Sequence, residues 1–182
     1  MFSKALSHII DRLTQAQKTR LIHSYALIGG FAVSAWGIAR ATQDIDLAVA
    51  LGTSAPQALA TYLGAEYESG GIDDPLQGVF SLSLKSEGQD VPVQLIVLPS
   101  KLAAVAFNQI ETLTVLGCSV PVVNWQALVL LKLYAGGPVD LQDARNIVAV
   151  RKPDATAWED LLVDADTLGL AQEIRSLLDS SI

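Results

Sequence analysis

Two aspartates, Asp44 and Asp46, are separated by one isoleucine in the apolar stretch DIDLAVAL, residues 44–51. This stretch is typical of a β-strand, in which residues i and i+2 point to the same side with Cα atoms roughly 6.6 to 7 Å apart. Two carboxylates so placed repel each other unless a cation lies between them or one of them binds a proton. Mg²⁺ suits such a pair, because one or two carboxylates, substrate phosphates and water usually complete its coordination. The alternative is an edge strand whose acids face solvent.

A glycine pair, Gly29 and Gly30, precedes the aspartates at the start of FAVSAWGIA, a segment that we interpret as a short buried helix. A Gly-Gly turn at the start of a helix leaves backbone N–H groups free to point at an anion, and it lets a triphosphate approach without a Cβ in the way. Close packing is the alternative explanation for so apolar a pair. The glycines and the aspartates together predict a nucleotide site.

The composition limits the classes of protein that this chain can belong to. Its 182 residues fit one domain, and 51% of them are apolar. The longest uncharged stretch, Ser24–Ala39, is shorter than the roughly 20 residues of a membrane-spanning helix and contains three glycines. The net charge of -7 argues against general binding to nucleic-acid backbones, although a local basic patch is compatible with it. We therefore expect a cytoplasmic protein without a membrane segment.

The cysteine and histidine content restricts the kind of metal site. A single cysteine, Cys118, cannot form an internal disulfide, and with only His8 and His23 the chain lacks the ligands of a Cys/His zinc site. Any metal should therefore be a hard ion held by carboxylates.

The periodicity of apolar residues predicts an α/β (α+β) fold, with a small mixed sheet, flanking helices and a helical C-terminal region. We divide the chain into a core, residues 1–99, and a helical region, residues 100–182, that packs on it within one compact domain. The predicted helices are a first one that ends before Tyr25 and others at 55–63, 102–110, 125–135 and 138–150, followed by a tail that a capping box, Thr156 to Glu159, opens. The predicted strands are 44–51, an antiparallel pair formed by GVFSLSLKS and VPVQLIVLP, and a short SVPVV.

The stretch LIGGFAVSAWGIARATQDIDLAV, residues 27–49, resembles the signature of the nucleotidyltransferase fold of the DNA polymerase beta superfamily. That signature is an apolar residue and two glycines, a helix, and then two acids that alternate with apolar residues. The variant present here is similar to that of minimal bacterial nucleotidyltransferases of the AbiEii toxin type. The residues that fit it are Gly29, Gly30, Ala32, Gly37, Arg40, Thr42, Asp44, Ile45, Asp46 and Leu47.

A second stretch, LLKLYAGGPVDLQDARNIV, resembles a later motif of the same family, in which a lysine precedes an acidic helix start. Lys132, Ala135, Asp140 and Asp143 fit that motif. The alternatives for these residues are a lysine whose stem packs on an apolar helix and acids that favour the positive end of a helix.

The resemblance implies a metal-dependent transfer of a nucleoside monophosphate from an NTP to an acceptor hydroxyl. Asp44 and Asp46 would hold Mg²⁺ or Mn²⁺. The nucleotide would contact the backbone of Gly29 and Gly30 as well as Arg40, Thr42 and Lys132, while Asp140 and Asp143 would be accessory residues. The acceptor hydroxyl, carried by a tRNA, a small molecule or a protein, would attack the α-phosphorus, and pyrophosphate would leave.

The family has a third carboxylate on a later strand, where this chain has Gln94. Glutamine is not a base and is a poor metal ligand. We expect Gln94 to lie on the same sheet face as the aspartate pair and to donate a hydrogen bond to it; the alternative third acid is Asp73 or Asp74. The second functional hypothesis is therefore a catalytically reduced nucleotide-binding or regulatory module, which could be paired with an antitoxin-like protein.

Overall fold

The structure, a computed structural model, describes residues 1–71 and 75–179. The strands of this part of the chain are β1 (Ile22–Leu27), β2 (Ile45–Leu51), β3 (Glu66–Ser69), β4 (Gly78–Ser86), β5 (Gln89–Val97), β6 (Ile110–Val115) and β7 (Cys118–Val123). The helices are α1 (Phe2–Lys18), α2 (Gly29–Ala35), α3 (Pro56–Leu63), α4 (Ser100–Asn108), α5 (Trp125–Ala135), α6 (Pro138–Arg151), α7 (Ala155–Leu168) and α8 (Ala171–Asp179). The strands form one mixed sheet in the order β3-β4-β5-β2-β1-β7-β6. The predicted α/β (α+β) class is confirmed.

Strand β2 lies in the interior of the sheet. It runs parallel to β5 and antiparallel to β1, so both of its edges are hydrogen-bonded. Ile45, Leu47 and Val49 on one face are fully buried, and Ala48 on the other face is buried as well. A strand covered on both faces needs apolar residues on both. The alternative of a solvent-facing edge strand is therefore wrong.

The predicted antiparallel pair is confirmed as the hairpin of β4 and β5. Glu87 and Gly88 form its turn with positive φ angles of 55° and 79°, which match the right-handed twist of the flanking strands. Because β5 also pairs with β2, Gln94 lies directly beside Asp46 on the neighbouring strand.

Three strands were not predicted: β1, β3 and β6. Strand β1 does not alternate between buried and exposed residues, and a short apolar run without alternation does not distinguish a strand from a buried helix. Strand β6 begins at Ile110, where a helical segment was expected to end. It forms a hairpin with β7, the predicted SVPVV strand, and β7 pairs parallel with β1. The region after residue 100 therefore adds two strands to the same sheet.

The predicted capping box at Thr156 is wrong. Helix α7 begins at Ala155, and the carboxylate of Asp154 accepts a hydrogen bond of 2.9 Å from the backbone N–H of Ala157. An aspartate is at least as good an N-cap as a threonine. Thr156 consequently lies inside the first turn.

The helices cover the sheet and form the core with it. Helix α1 buries Leu6, Ile9 and Leu13 and packs against β1, β4 and β7. Trp36, which ends α2, donates an indole N–H hydrogen bond of 3.0 Å to the carbonyl of Val123 and so joins α2 to β7. In the part of the chain that the structure describes, no helix combines the length and apolarity needed to cross a membrane.

Candidate functional site

The two aspartates lie in the wall of a cavity of about 440 Å³. Asp44 immediately precedes β2 and Asp46 is its second residue, and both are half-buried. The wall is formed by residues from α2, β2, β5, α4, α5 and α6 and from the connections before α2, β2, β4 and α4. The described lining residues are Ile28, Gly29, Asp44, Asp46, Pro75, Leu76, Gln94, Ile96, Leu98, Leu102, Leu128, Leu131, Lys132, Tyr134, Ala135 and Asp140.

The glycine pair lies directly against the acidic segment. Gly29 has a φ of +65°, and a Cβ built on it would lie 2.1 Å from Oδ2 of Asp46. A Cβ on Gly30 would lie 2.7 Å from the Cβ of Thr42. The backbone conformation requires glycine at position 29, and the space requires it at both positions. The pair therefore brings the start of α2 into contact with Asp46 and Thr42.

Thr42 orients the first aspartate. Its hydroxyl donates a hydrogen bond of 2.8 Å to Oδ1 of Asp44. This bond holds one carboxylate oxygen of Asp44 in place, and Asp44 still lines the cavity. Thr42 thus contacts both the glycine turn and the acidic pair.

The charge of Asp46 is poorly accommodated in this structure. Burial and, second, the neighbouring charge of Asp44 raise the pKa of Asp46 from 3.8 to about 6, against an opposing effect of Lys132. A cation bound next to Asp46 would offset this electrostatic cost, because it favours the ionised form of the carboxyl. The electrostatics of the pair match those expected of a cation site.

Lys132 lies in the same cavity and is held by two acids. Its Nζ is 2.8 Å from Oδ1 of Asp140 and 3.1 Å from Oδ2 of Asp143, and its side chain is 12% exposed. Helix α5 places it there, and Asn124 caps that helix by accepting a hydrogen bond from the N–H of Ala127. Lys132 is therefore not a solvent-directed side chain.

Arg40 contacts Asp143 and not the aspartate pair of β2. Its Nε lies 3.3 Å from Oδ1 of Asp143, whose side chain is 4% exposed. Asp143 thus bridges two cations, one before β2 and one, Lys132, on α5. A carboxylate so deeply buried requires such partners. Arg40 is not among the described lining residues, and it is joined to Lys132 of the cavity wall through Asp143.

Gln94 faces the cavity beside Asp46, as its strand register requires. The expected hydrogen bond is not formed: among the described residues, no hydrogen bond joins its amide to Asp44 or Asp46. The other residues considered as a third acid, Asp73 and Asp74, lie outside the described residues.

The donor set permits a hard cation but does not complete its coordination. Within residues 1–71 and 75–179, no group of three or more His, Cys, Asp or Glu side chains is arranged to hold a metal ion. Asp44 and Asp46 supply carboxylate oxygens on one side only. Mg²⁺ commonly completes such a shell with phosphate oxygens and water. The pair therefore fits a metal that binds together with a phosphorylated ligand.

Sequence reasoning missed the apolar part of the cavity wall and Tyr134 within it. The hydroxyl of Tyr134 donates a hydrogen bond of 3.1 Å to the carbonyl of Pro75, so α5 is tied to the segment before β4. The available signal was the helical spacing of Leu128, Leu131 and Ala135 around Lys132. That spacing alone does not show that the helix faces a cavity.

No model of a protein family matches the chain, and no curated protein sequence matches it significantly. The functional argument therefore depends on the geometry of this site and on the two sequence motifs.

We expect the substitution Gly29→Ala to destabilise the protein more than Gly64→Ala. Both glycines have a φ near +60°, but a Cβ on Gly64 would meet nothing within 4 Å. Gly64→Ala should cost about 1 to 2 kcal/mol for the left-handed conformation, and Gly29→Ala should cost at least ~1 kcal/mol more because Asp46 must move. Urea unfolding of both variants measures the difference; equal losses would contradict the contact between Gly29 and Asp46.

The substitution Asp46→Asn should stabilise the metal-free protein at neutral pH. Because the folded state raises the pKa of Asp46, this carboxyl contributes stability that is fully present below about pH 4 and is lost as the pH rises through about 6. The gain at pH 7.5 should be about 1 to 3 kcal/mol and should vanish near pH 4. Unfolding at both pH values tests this, with Asp90→Asn as a control at an exposed position; a gain that is independent of pH would show that its origin is not electrostatic.

Proposed function

We propose that this protein is a divalent-metal-dependent nucleotidyltransferase that moves a nucleoside monophosphate from an NTP to an acceptor hydroxyl. The observation that carries the proposal is the placement of Asp44 and Asp46, half-buried at the start of a central strand, in one cavity with Lys132. Paired carboxylates and a cation in one cavity match the two kinds of charge in a metal-bound triphosphate.

In this proposal, Asp44 and Asp46 hold Mg²⁺ or Mn²⁺ from the side of the protein. Thr42 fixes the orientation of Asp44 through its hydroxyl, and Gly29, which lacks a Cβ, lets the start of α2 lie directly against the carboxylate of Asp46. The metal, when bound, polarises the α-phosphate and neutralises charge on the leaving pyrophosphate. Thr42, Gly29 and the aspartates position the reacting groups, which is the main contribution of a protein to phosphoryl transfer.

Lys132 provides positive charge for the triphosphate. Its ammonium has three N–H donors, and Asp140 and Asp143 engage two of them. The third donor can therefore reach a phosphate oxygen without breaking either ion pair. Arg40 helps to hold Asp143 in position, because it forms an ion pair with the same carboxylate that binds Lys132. Asp140 and Asp143 thus act by holding Lys132 in place.

Gln94 favours a second candidate function, that of a module that binds nucleotide with little turnover. It lies beside Asp46, at a position where the nucleotidyltransferase family that the chain resembles has a carboxylate. A metal that activates the acceptor would lack an anionic ligand there, so nucleotide binding would survive better than turnover. Under this reading, the protein is a nucleotide-binding or regulatory module, and an antitoxin-like protein is a candidate partner. For the enzyme, the acceptor would be a tRNA, a small molecule or a protein.

We expect Mg²⁺ and NTP to bind together and to require the aspartate pair. Calorimetry should show tight binding of Mg·NTP and weak binding of either component alone, because the two carboxylates need the phosphate oxygens to complete the metal site. The double variant Asp44→Asn, Asp46→Asn should lose the Mg²⁺ dependence while remaining folded. Incubation with α-labelled NTP then tests transfer: label on an acceptor supports the enzyme, and binding without transfer supports the module. A double variant that binds Mg·NTP as well as the unmodified protein would rule out both.

The substitution Gln94→Asp should raise the rate of transfer about tenfold or more if metal activation of the acceptor limits it, which corresponds to ~1.4 kcal/mol of barrier for each factor of ten. It should also lower the free energy of unfolding without metal, because a third carboxylate joins the pair, and Mg²⁺ should restore it. Gln89→Asp, at the exposed start of the same strand, is the matched control. An unchanged rate in an active protein would exclude Gln94 as the position that limits turnover.

A further inference from the structure

The cavity changes from charged to apolar along β5 and its continuation. Gln94, Ile96 and Leu98 follow one another at alternate positions and all line the cavity. Gln94 lies beside Asp46, whereas Leu98 is four residues further, roughly 13 Å along an extended chain. One end of the cavity therefore carries the acids and the other is apolar.

Two helices close the apolar end. Leu102 from α4 and Leu128 from α5 line it and are 2% and 0% exposed, so their positions are fixed by the core. Leu131 on α5 adds to this surface one turn away from Leu128. An apolar wall next to a site for charged phosphates suits a ligand that is anionic at one end and flat and weakly polar at the other. A nucleoside triphosphate has this form.

Tyr134 supplies the aromatic part of the wall. Tyr134 lines the cavity, and together with Leu102 it also lines a neighbouring cavity of about 530 Å³, so these two residues lie between the two spaces. The hydroxyl hydrogen of Tyr134 is used in the bond to the carbonyl of Pro75. This bond orients the ring and leaves the hydroxyl unable to donate to a ligand.

Few polar side chains remain to recognise a base by hydrogen bonds. Among the described lining residues, the polar side chains other than Tyr134 are Asp44, Asp46, Gln94, Lys132 and Asp140. The first three belong to the acidic end by their strand positions, and Lys132 and Asp140 are paired with each other. With the remaining N–H of Lys132 engaged by the phosphates, as proposed above, the described residues of the apolar end present contact area and one aromatic ring without a side-chain donor.

We infer that the base of the donor nucleotide lies against Tyr134 in the apolar end of the cavity and is selected by size and stacking, not by hydrogen bonds to its edge. This inference rests on the proposed function. Sites built on hydrogen bonds discriminate by factors of about 10⁴ or more, whereas apolar pockets discriminate by about 10 to 200. ATP and GTP should therefore bind within about threefold of each other, and both should bind about three- to tenfold more tightly than CTP and UTP, since purines bury more area.

Calorimetric competition among the four Mg·NTPs and Mg·tripolyphosphate tests the inference in the unmodified protein, Tyr134→Phe and Tyr134→Ala. Tyr134→Ala should weaken the binding of all four NTPs by about 5- to 50-fold, because the stacking surface is lost. Tyr134→Phe retains the ring and should weaken them by less than about fivefold, since only the bond to Pro75 is removed. Tripolyphosphate has no base and should bind equally to all three proteins.

The outcomes separate this inference from the function on which it rests. If Mg·tripolyphosphate and the NTPs fail to bind, or bind independently of Asp44 and Asp46, the proposed function and the inference are both overturned. Suppose instead that they bind as proposed. If the affinity for one nucleotide then exceeds the affinity for each of the others more than tenfold, or if pyrimidine nucleotides bind more tightly than purine nucleotides, only the inference is wrong. It is also wrong if Tyr134→Ala is folded and retains the affinities of the unmodified protein.

Discussion

The mutual repulsion of Asp44 and Asp46 is the constraint around which this part of the structure is arranged. Asp46 belongs to a strand that is paired on both edges, Asp44 immediately precedes that strand, and both side chains are half-buried. Burial and this repulsion raise the pKa of Asp46 to about 6. The glycine at position 29 is needed because the same carboxylate occupies the space of its Cβ. A fold that retains this arrangement keeps two anions where a cation would stabilise them.

The second half of the chain completes the environment of the aspartates. Lys132 reaches the cavity from α5, and the buried carboxylate of Asp143 links it to Arg40, which lies 103 positions before Asp143 in the sequence. Removing either cation would leave the buried carboxylate of Asp143 with a single partner, which is costly in a low-dielectric interior. The hairpin of β6 and β7 extends the same sheet, and β7 packs beside β1. The site therefore depends on the folding of both halves.

The sequence alone determined the features that depend on local pattern. The alternation in β2, the turn of the β4–β5 hairpin and the helices α5 and α6 follow from periodicity and turn residues, which act over a few positions. The glycine pair and the acids were expected to form one site, and the position of Gln94 on the same sheet face was implied by the resemblance to the nucleotidyltransferase signature. The candidate site was thus identified from residue types and spacing, and its chemistry remains a proposal.

Tertiary structure decided the features that depend on distant contacts. Strands β1 and β6 have no clear alternation, so only pairing with neighbouring strands distinguishes them from helix or loop. The partner of Arg40, Asp143 on α6, is brought to it by the packing of that helix. The apolar end of the cavity arises where β5, α4 and α5 meet, and Tyr134 faces it because its hydroxyl is bonded to Pro75, 59 positions away. Local sequence encodes which residues are apolar, but the fold determines which of them surround an empty space.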